Sequence, residues 1–197
     1  MPRGVTTVGC MNTPTSGYTV RAIRPEDWTA VRQLRLDALR DPVAHLAFLE
    51  TYEEAAAKTD AFWQDRAIGS GEGSSAARQI IAEAPDGTWA GTVTVLVEEA
   101  GTEDWAGHPV ERRQGHVVGV FVRPEHRGNG LIKALFDAGV EWAWQRGAER
   151  VRLFVHADNA RAQSAYRKVG FVPSGLVVAF TKDEGENERE FVLDRRP

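Results

Sequence analysis

The chain has 197 residues, 42% hydrophobic and 26% charged, with a net charge of -4 at pH 7. That is enough apolar material for one sizeable core with an ordinary charged share, which excludes wholesale disorder; a pI near 5.8 excludes a strongly basic nucleic-acid binder. No apolar run approaches the roughly 18 residues needed to cross a bilayer, no basic start followed by an apolar stretch marks a secretory signal, and the single cysteine, Cys10, cannot close an internal disulfide or a thiolate zinc site.

A cytoplasmic protein is expected, with one domain over residues 18–197 and neither nucleic acid nor membrane as partner. Residues 1–17 are small, polar and aperiodic and read as a loose tail, with Met11 an alternative start. Residues 18–24 alternate and carry β-branched side chains, the mark of a strand. Pro25 suits the first turn of a helix with Val31, Leu34, Ala38 and Leu39 on its apolar stripe, ending near Asp41-Pro42. Thr51 and Glu54 have capping-box spacing, so a second helical region runs from about Tyr52 to Ala67 with Phe62 and Trp63 inward. Residues 69–75 have the composition of a flexible linker.

Two β-rich runs, 78–84 and 89–99, flank the turn Pro85-Asp86-Gly87 and predict a hairpin. Residues 100–115 read as a long loop. Residues 115–122 form a near-continuous apolar run, as expected of a strand buried on both faces. From 129 to 146 the period becomes helical, with Leu131, Leu135, Ala138 and Trp142 in register. Residues 150–156 read as a strand. A helix capped by Asp158 or Asn159 follows, with Ala162, Ala165, Tyr166 and Val169 on its face, and Gly170 ends it. Residues 176–181 and 189–195 complete an antiparallel hairpin around an acidic run, 183–190, which reads as a solvated turn. Strands and helices mix without strict alternation, which argues for a mixed α/β sheet in one domain.

The most informative stretch is 118–135, where a buried strand enters a glycine-rich turn that opens a long amphipathic helix. The first N–H groups of such a helix lack internal partners and the dipole places positive charge there, so the turn can bind an anion. Gly128 and Gly130 let the backbone approach a phosphate, and Arg127 adds a cation; the plainer reading is a strand-to-helix turn with Arg127 in solvent. Neither a P-loop nor a Rossmann glycine pattern is present. In 156–171, Asn159 starts a helix and Tyr166 follows two turns later. A phenol with an ordinary pKa near 10 stays protonated at neutral pH and can give a proton to a departing thiolate. The plainer reading makes Asn159 only a cap and Tyr166 only a core residue.

Together the two stretches resemble the GNAT superfamily of N-acetyltransferases. Arg127 and Gly130 match the first and fourth positions of its pyrophosphate motif [QR]-x-x-G-x-[GA], while Ile132 stands where the family has Gly or Ala. Asn159, Ala162, Tyr166, Lys168, Gly170 and Phe171 match its pattern N-x-x-A-x-x-x-Y-x-K-x-G-F. The resemblance implies a mostly antiparallel sheet of six to seven strands flanked by about four helices. It implies acetyl-CoA as cosubstrate and a primary amine as acceptor, on a small molecule or a protein, attacking the thioester directly. It assigns the backbone of Val120, Phe121 and Val122 to the pantetheine arm, residues Arg127, Gly128, Asn129, Gly130, Leu131 and Ile132 to the pyrophosphate, Asn159 to pantetheine, and Tyr166 to the leaving thiolate. His116, at the start of the splayed strand where some members carry a basic carboxylate, is the first candidate base; Glu83 and His156 are weaker ones. The alternatives are an acyl-CoA-binding sensor without turnover, or transfer of another acyl group.

His45, His108 and His126 show no ligand spacing, and no metal is expected. Trp142 and Trp144 point to different faces of the long helix, so either both pack or one sits at a homodimer contact.

Overall fold

The computed structural model describes residues 17–104, 106–179 and 186–195. Met11, Cys10 and all but the last residue of the expected tail lie outside them. The strands are β1 (Thr19–Ala22), β2 (Ala77–Glu83), β3 (Trp89–Glu98), β4 (Gln114–Val122), β5 (Arg150–His156), β6 (Val172–Ala179) and β7 (Asn187–Asp194). The α-helices are α1 (Trp28–Leu39), α2 (Tyr52–Ala56), α3 (Asp60–Ser70), α4 (Leu131–Gln145) and α5 (Ala160–Lys168).

The seven strands make one sheet in the order β1-β2-β3-β4-β5-β7-β6. Only β4 and β5 run parallel; every other neighbouring pair is antiparallel. The α4 crossover between β4 and β5 supplies the connection that parallel neighbours need. Ile80, Val93, Val95, Val117, Leu135, Phe136 and Leu153 build one core under α4, and Phe136 carries it to Tyr166 and Phe171 at ring-centroid distances of 5.5 Å each. Ile23, Val31, Leu34, Trp63, Ile81 and Phe121 build a second core on the other face, under α1 and α3. One sheet thus holds apart two layers, and a strand in its middle is reachable from both.

Most expected elements are present, and the departures have local causes. The region expected as one helix from Tyr52 to Ala67 is two. The Thr51–Glu54 capping box forms, with Thr51 N–H donating to Glu54 Oε2 at 2.7 Å. Thr59 then caps a fresh start at the Phe62 N–H, and the helix runs on to Ser70. Trp63 is buried as expected, but Phe62 is 37% exposed, because adjacent helical residues face different directions. The 69–75 segment is a tied turn and no linker: Glu72 N–H donates to Ile23 O at 2.8 Å and Ser74 Oγ donates to Gly69 O at 2.7 Å. The acidic run is not all turn either. Its described part enters β7, where Glu190 is 3% exposed and faces arginines.

Candidate active site

The geometry starts from a fault in the sheet. On β3, Thr92 lies opposite Phe121 and Thr94 opposite Val118, so Val93 alone faces both Gly119 and Val120. This bulge puts Gly119 at φ +62, a left-handed conformation that glycine adopts without steric cost. Bulges bend the strand that carries them. The β4–β5 pairing stops at Val117↔Leu153, and β4 continues to Val122 with no strand partner on that side among the described residues. Open backbone groups on such an edge can pair with a ligand's amides.

A cleft of about 610 Å³ opens in the gap. Val120, Phe121 and Val122 line it from β4, Arg127, Gly128, Gly130, Leu131 and Ile132 from the turn and the start of α4, and Asn159 and Tyr166 from α5. Of the residues expected to bind the cosubstrate, only Asn129 is not part of the lining. Its Nδ2 donates outward to the Tyr18 hydroxyl at 3.2 Å, and that hydroxyl also meets His126 Nδ1 at 2.8 Å. Tyr18 thereby pins the turn from outside.

Main-chain hydrogen bonds stop abruptly at the turn. Arg127 N–H donates to Pro124 O at 3.3 Å and Lys133 N–H to Gly130 O at 3.0 Å. Between them, the N–H groups of residues 128–132 have no partner among the described residues. Gly128 at φ +86 and Gly130 at φ +83 turn this row of donors, and α4 adds its dipole. Ile132 packs partly on the α4 core and also lines the cleft, and its own N–H belongs to the open row. The side chain of Arg127 is differently employed than expected. It donates to Val122 O at 2.8 Å and is ion-paired with Asp41, whose side chain is 5% exposed. Burial pushes the Asp41 carboxyl up, but hydrogen bonds from Arg127 and the Val43 N–H prevail and hold it below the ordinary carboxylate value. Nothing in the spacing signalled Asp41, which lies 86 residues from Arg127.

Asn159 serves as the cap of α5, its Oδ1 accepting from Ala162 N–H at 3.1 Å, and it also lines the cleft. Tyr166 is 8% exposed. Burial pushes its phenol well above the usual tyrosine value, against a smaller downward pull from Arg161. The hydroxyl proton is therefore held firmly at neutral pH.

His116 is not in the cleft. It is 4% exposed on the part of β4 still paired with β5, beside Arg152, with Nδ1 2.9 Å from Glu98 Oε1. With the proton on Nδ1 donated to Glu98, Nε2 is the basic nitrogen. Glu98 also accepts from Gln114 Nε2 at 2.7 Å and meets Arg152 at 2.7 Å, and Arg152 reaches Asp104 at 3.0 Å. Glu98 escaped the sequence reading because a strand-end glutamate carries no spacing signal. The weaker base candidates are otherwise engaged: Glu83 accepts from Arg21 on the sheet's far side at 3.1 Å, and His156 meets Glu186 through Nε2 at 2.9 Å and the Asp158 N–H through Nδ1 at 3.1 Å. Among the described residues no group of three or more His, Cys, Asp or Glu could hold a metal ion, and no helix is long and apolar enough to cross a membrane.

Burial pushes the Glu98 carboxyl up, but hydrogen bonds and charge from His116 and Arg152 overcome it and hold the group at about 2. A folded value below the ordinary 4.5 means stabilisation that is complete above 4.5 and lost as pH falls towards 2. The Tm gap between the natural chain and Glu98→Gln is expected to narrow across that acid window. A thermal melt series showing a constant gap from neutrality down to about pH 2 rejects this role.

The sequence model of the Acetyltransferase (GNAT) family matches residues 28–171. A mycothiol acetyltransferase of Saccharomonospora viridis is 42% identical over 91 residues, which is 46% of this chain and 28% of the relative. A putative ribosomal protein bS18-alanine N-acetyltransferase of Bacillus subtilis is 28% identical over 93 residues, 47% of this chain and 62% of the relative. The matches thus span less than two thirds of these curated relatives. A putative acetyltransferase of Salmonella typhimurium, solved with its cofactor acetyl-CoA, superposes with a TM-score of 0.65 at 16% identity, covering 91% of this chain and 94% of that one. The PaiA N-acetyltransferase of Thermoplasma acidophilum, solved with coenzyme A, gives 0.65 at 17% identity over 88% and 98%. These neighbours share the fold, and with the family model spanning well over half of its length, the chain belongs to the Acetyltransferase (GNAT) family.

Proposed function

We propose that this chain transfers the acetyl group of acetyl-CoA to a primary amine, on a small molecule or a protein, in the cytoplasm and without a metal. One observation carries the reading: five consecutive unpartnered amides at the mouth of α4 open into the same cleft as a buried, protonated phenol. The residues present fit acetyl-CoA. The amide row of 128–132 suits a pyrophosphate, the unpaired β4 edge suits the amide-bearing pantetheine arm, and Arg161 and Lys168 along the cleft suit further phosphate charge. When bound, acetyl-CoA supplies an acyl group already activated as a thioester.

The chain's own residues do the rest. Backbone N–H groups of Val120 to Val122 polarise the carbonyl from a fixed position. Tyr166 gives its hydroxyl proton to the departing sulfur, and His116, which lies outside the cleft and is oriented by Glu98, takes the amine's proton through a water relay. The relatives are named for different acceptors, mycothiol and a ribosomal-protein alanine, so the family leaves the acceptor open.

The test is an amine-panel assay with thiol detection, run beside calorimetry with acetyl-CoA. Acetyl transfer to at least one amine is expected, with His116→Ala lowering kcat by about 100-fold, the lower range for loss of a general base. Tight acetyl-CoA binding with no transfer to any amine would leave the sensor reading in place. Unchanged kcat in His116→Ala removes the base assignment alone.

A further inference from the structure

On the sheet face opposite α4 lies a second cavity of about 20 Å³, lined by Arg35 of α1, Arg66 of α3, Gln79 of β2, Thr92 and Thr94 of β3, and Gly119 of the β4 bulge. It adjoins the cleft: Phe48 lines both spaces, and Gly119 immediately precedes Val120. A ligand seated here reaches β4 from the side opposite the α4 layer, at the residue where the strand turns towards the cosubstrate.

The charges around it do not balance. Arg35 donates to Glu50 Oε2 at 3.1 Å, and Lys58 meets the same carboxylate at 3.4 Å. Arg66 is half-buried, and its guanidinium makes no hydrogen bond or ion pair among the described residues; only Glu50 offers it a more distant opposite charge. Three cations thus stand against one carboxylate. Burial pulls both guanidinium groups below the usual arginine value, and at Arg35 the charge of Arg66 adds to this. Both remain cationic at neutral pH, so the surplus charge is retained in a poorly solvated place where an anion would relieve it.

A second polar group points the same way. Gln79 is 5% exposed, and its Oε1 is buried without a partner. The amide orientation is fixed, because Nε2 donates to Thr92 Oγ1 at 3.1 Å and that hydroxyl donates on to Ile80 O at 2.9 Å. A buried acceptor and a half-buried cation, each without a partner among the described residues and both lining one cavity, are the complement of a ligand with an anionic group and a nearby N–H or O–H. Volume narrows the anion. One ordered water needs roughly 10–15 Å³ by the same kind of measure, so the space of about 20 Å³ admits one oxygen-sized atom, one end of a carboxylate, and is too small for a phosphate or a sugar.

We propose that this cavity is a subsite for the carboxylate of the amine acceptor, and that the chain acetylates amino acids or small amino-acid derivatives in preference to simple alkylamines. The inference rests on the acetyl-transfer reading above. Arg66 binds the carboxylate, Arg35 supports it, and Gln79 Oε1 accepts an N–H or O–H from the same molecule. The acceptor amine is then presented past Gly119.

The experiment compares kcat/KM for L-amino acids with that for the amines left by their decarboxylation, such as lysine against cadaverine and phenylalanine against phenethylamine. The carboxylate-bearing member is expected to be preferred by at least about 30-fold in one or more pairs, the scale of one charge-assisted hydrogen bond, and Arg66→Gln to bring that ratio close to one. Arg66→Lys is expected to restore part of the ratio, which a merely structural role would not do. Arg66 has no internal hydrogen bond to lose, and a matching Tm confirms that the variants fold. Equal or better use of the decarboxylated amines, or an unchanged ratio in Arg66→Gln, overturns the subsite while leaving the acetyltransferase reading standing. Absence of transfer to every amine overturns both.

Discussion

Tyr166→Phe is expected to lower kcat by about 10²- to 10⁴-fold, the range for a general acid, while the Kd for acetyl-CoA changes by no more than about threefold, the effect of one modest hydrogen bond. The split follows from what the phenol does. Tyr166 packs its ring against Phe136 in the core and is nearly inaccessible, so phenylalanine keeps the volume and the packing. What disappears is one proton whose release burial opposes in the resting enzyme. That proton matters only when negative charge grows on the sulfur, an interaction made in the transition state and not in the bound ground state. Steady-state rates and calorimetry on the same preparation check it. Unchanged kcat removes the acid assignment, and a matched loss of kcat and of affinity would show that the hydroxyl organises the cleft instead.

Gly130→Glu is expected to weaken acetyl-CoA binding by at least about 100-fold, through two additive causes. The residue sits at φ +83, where any side chain costs about 1 kcal/mol or more. It also stands beside the row of open amides, so a carboxylate there would compete for the donors and repel phosphate. Gly130→Ala separates the causes, since it carries the backbone cost without the charge and should lose only about tenfold. Calorimetric titration of both variants is decisive: undiminished affinity in Gly130→Glu removes the pyrophosphate assignment.

The readable part of this molecule was whatever its chemistry wrote locally. The Thr51–Glu54 box, the helical period from Leu131 to Trp142, the Asn159 cap and the glycines of the turn are all short-range patterns, and each appears in the structure. The two motifs contribute two walls of the cleft because each is a contiguous segment, whereas the wall from Asp41 to Phe48 lies outside both. Long-range pairings were invisible. Asp41 reaches Arg127 across the fold, and Glu98 meets His116 diagonally from the neighbouring strand, and no periodicity reports which charge will meet which. The resemblance puts His116 at the start of the splayed strand; it lies there, on the part of β4 still paired with β5 and outside the cleft, against Glu98. The break at Thr59 was legible in principle, since threonine caps helices well, but the apolar pattern ran through it. The Arg66 cavity had no counterpart in the sequence because its members come from five elements.

The tie between Arg127 and Asp41 has a consequence for order of binding. Asp41 follows α1 and begins the chain segment that leads to Phe48, the wall common to both cavities. On the proposed reading, a diphosphate at the turn would compete with Asp41 for one guanidinium, at the root of the segment that carries Phe48. Any coupling that this competition creates between the turn and the acceptor side must be equal in both directions.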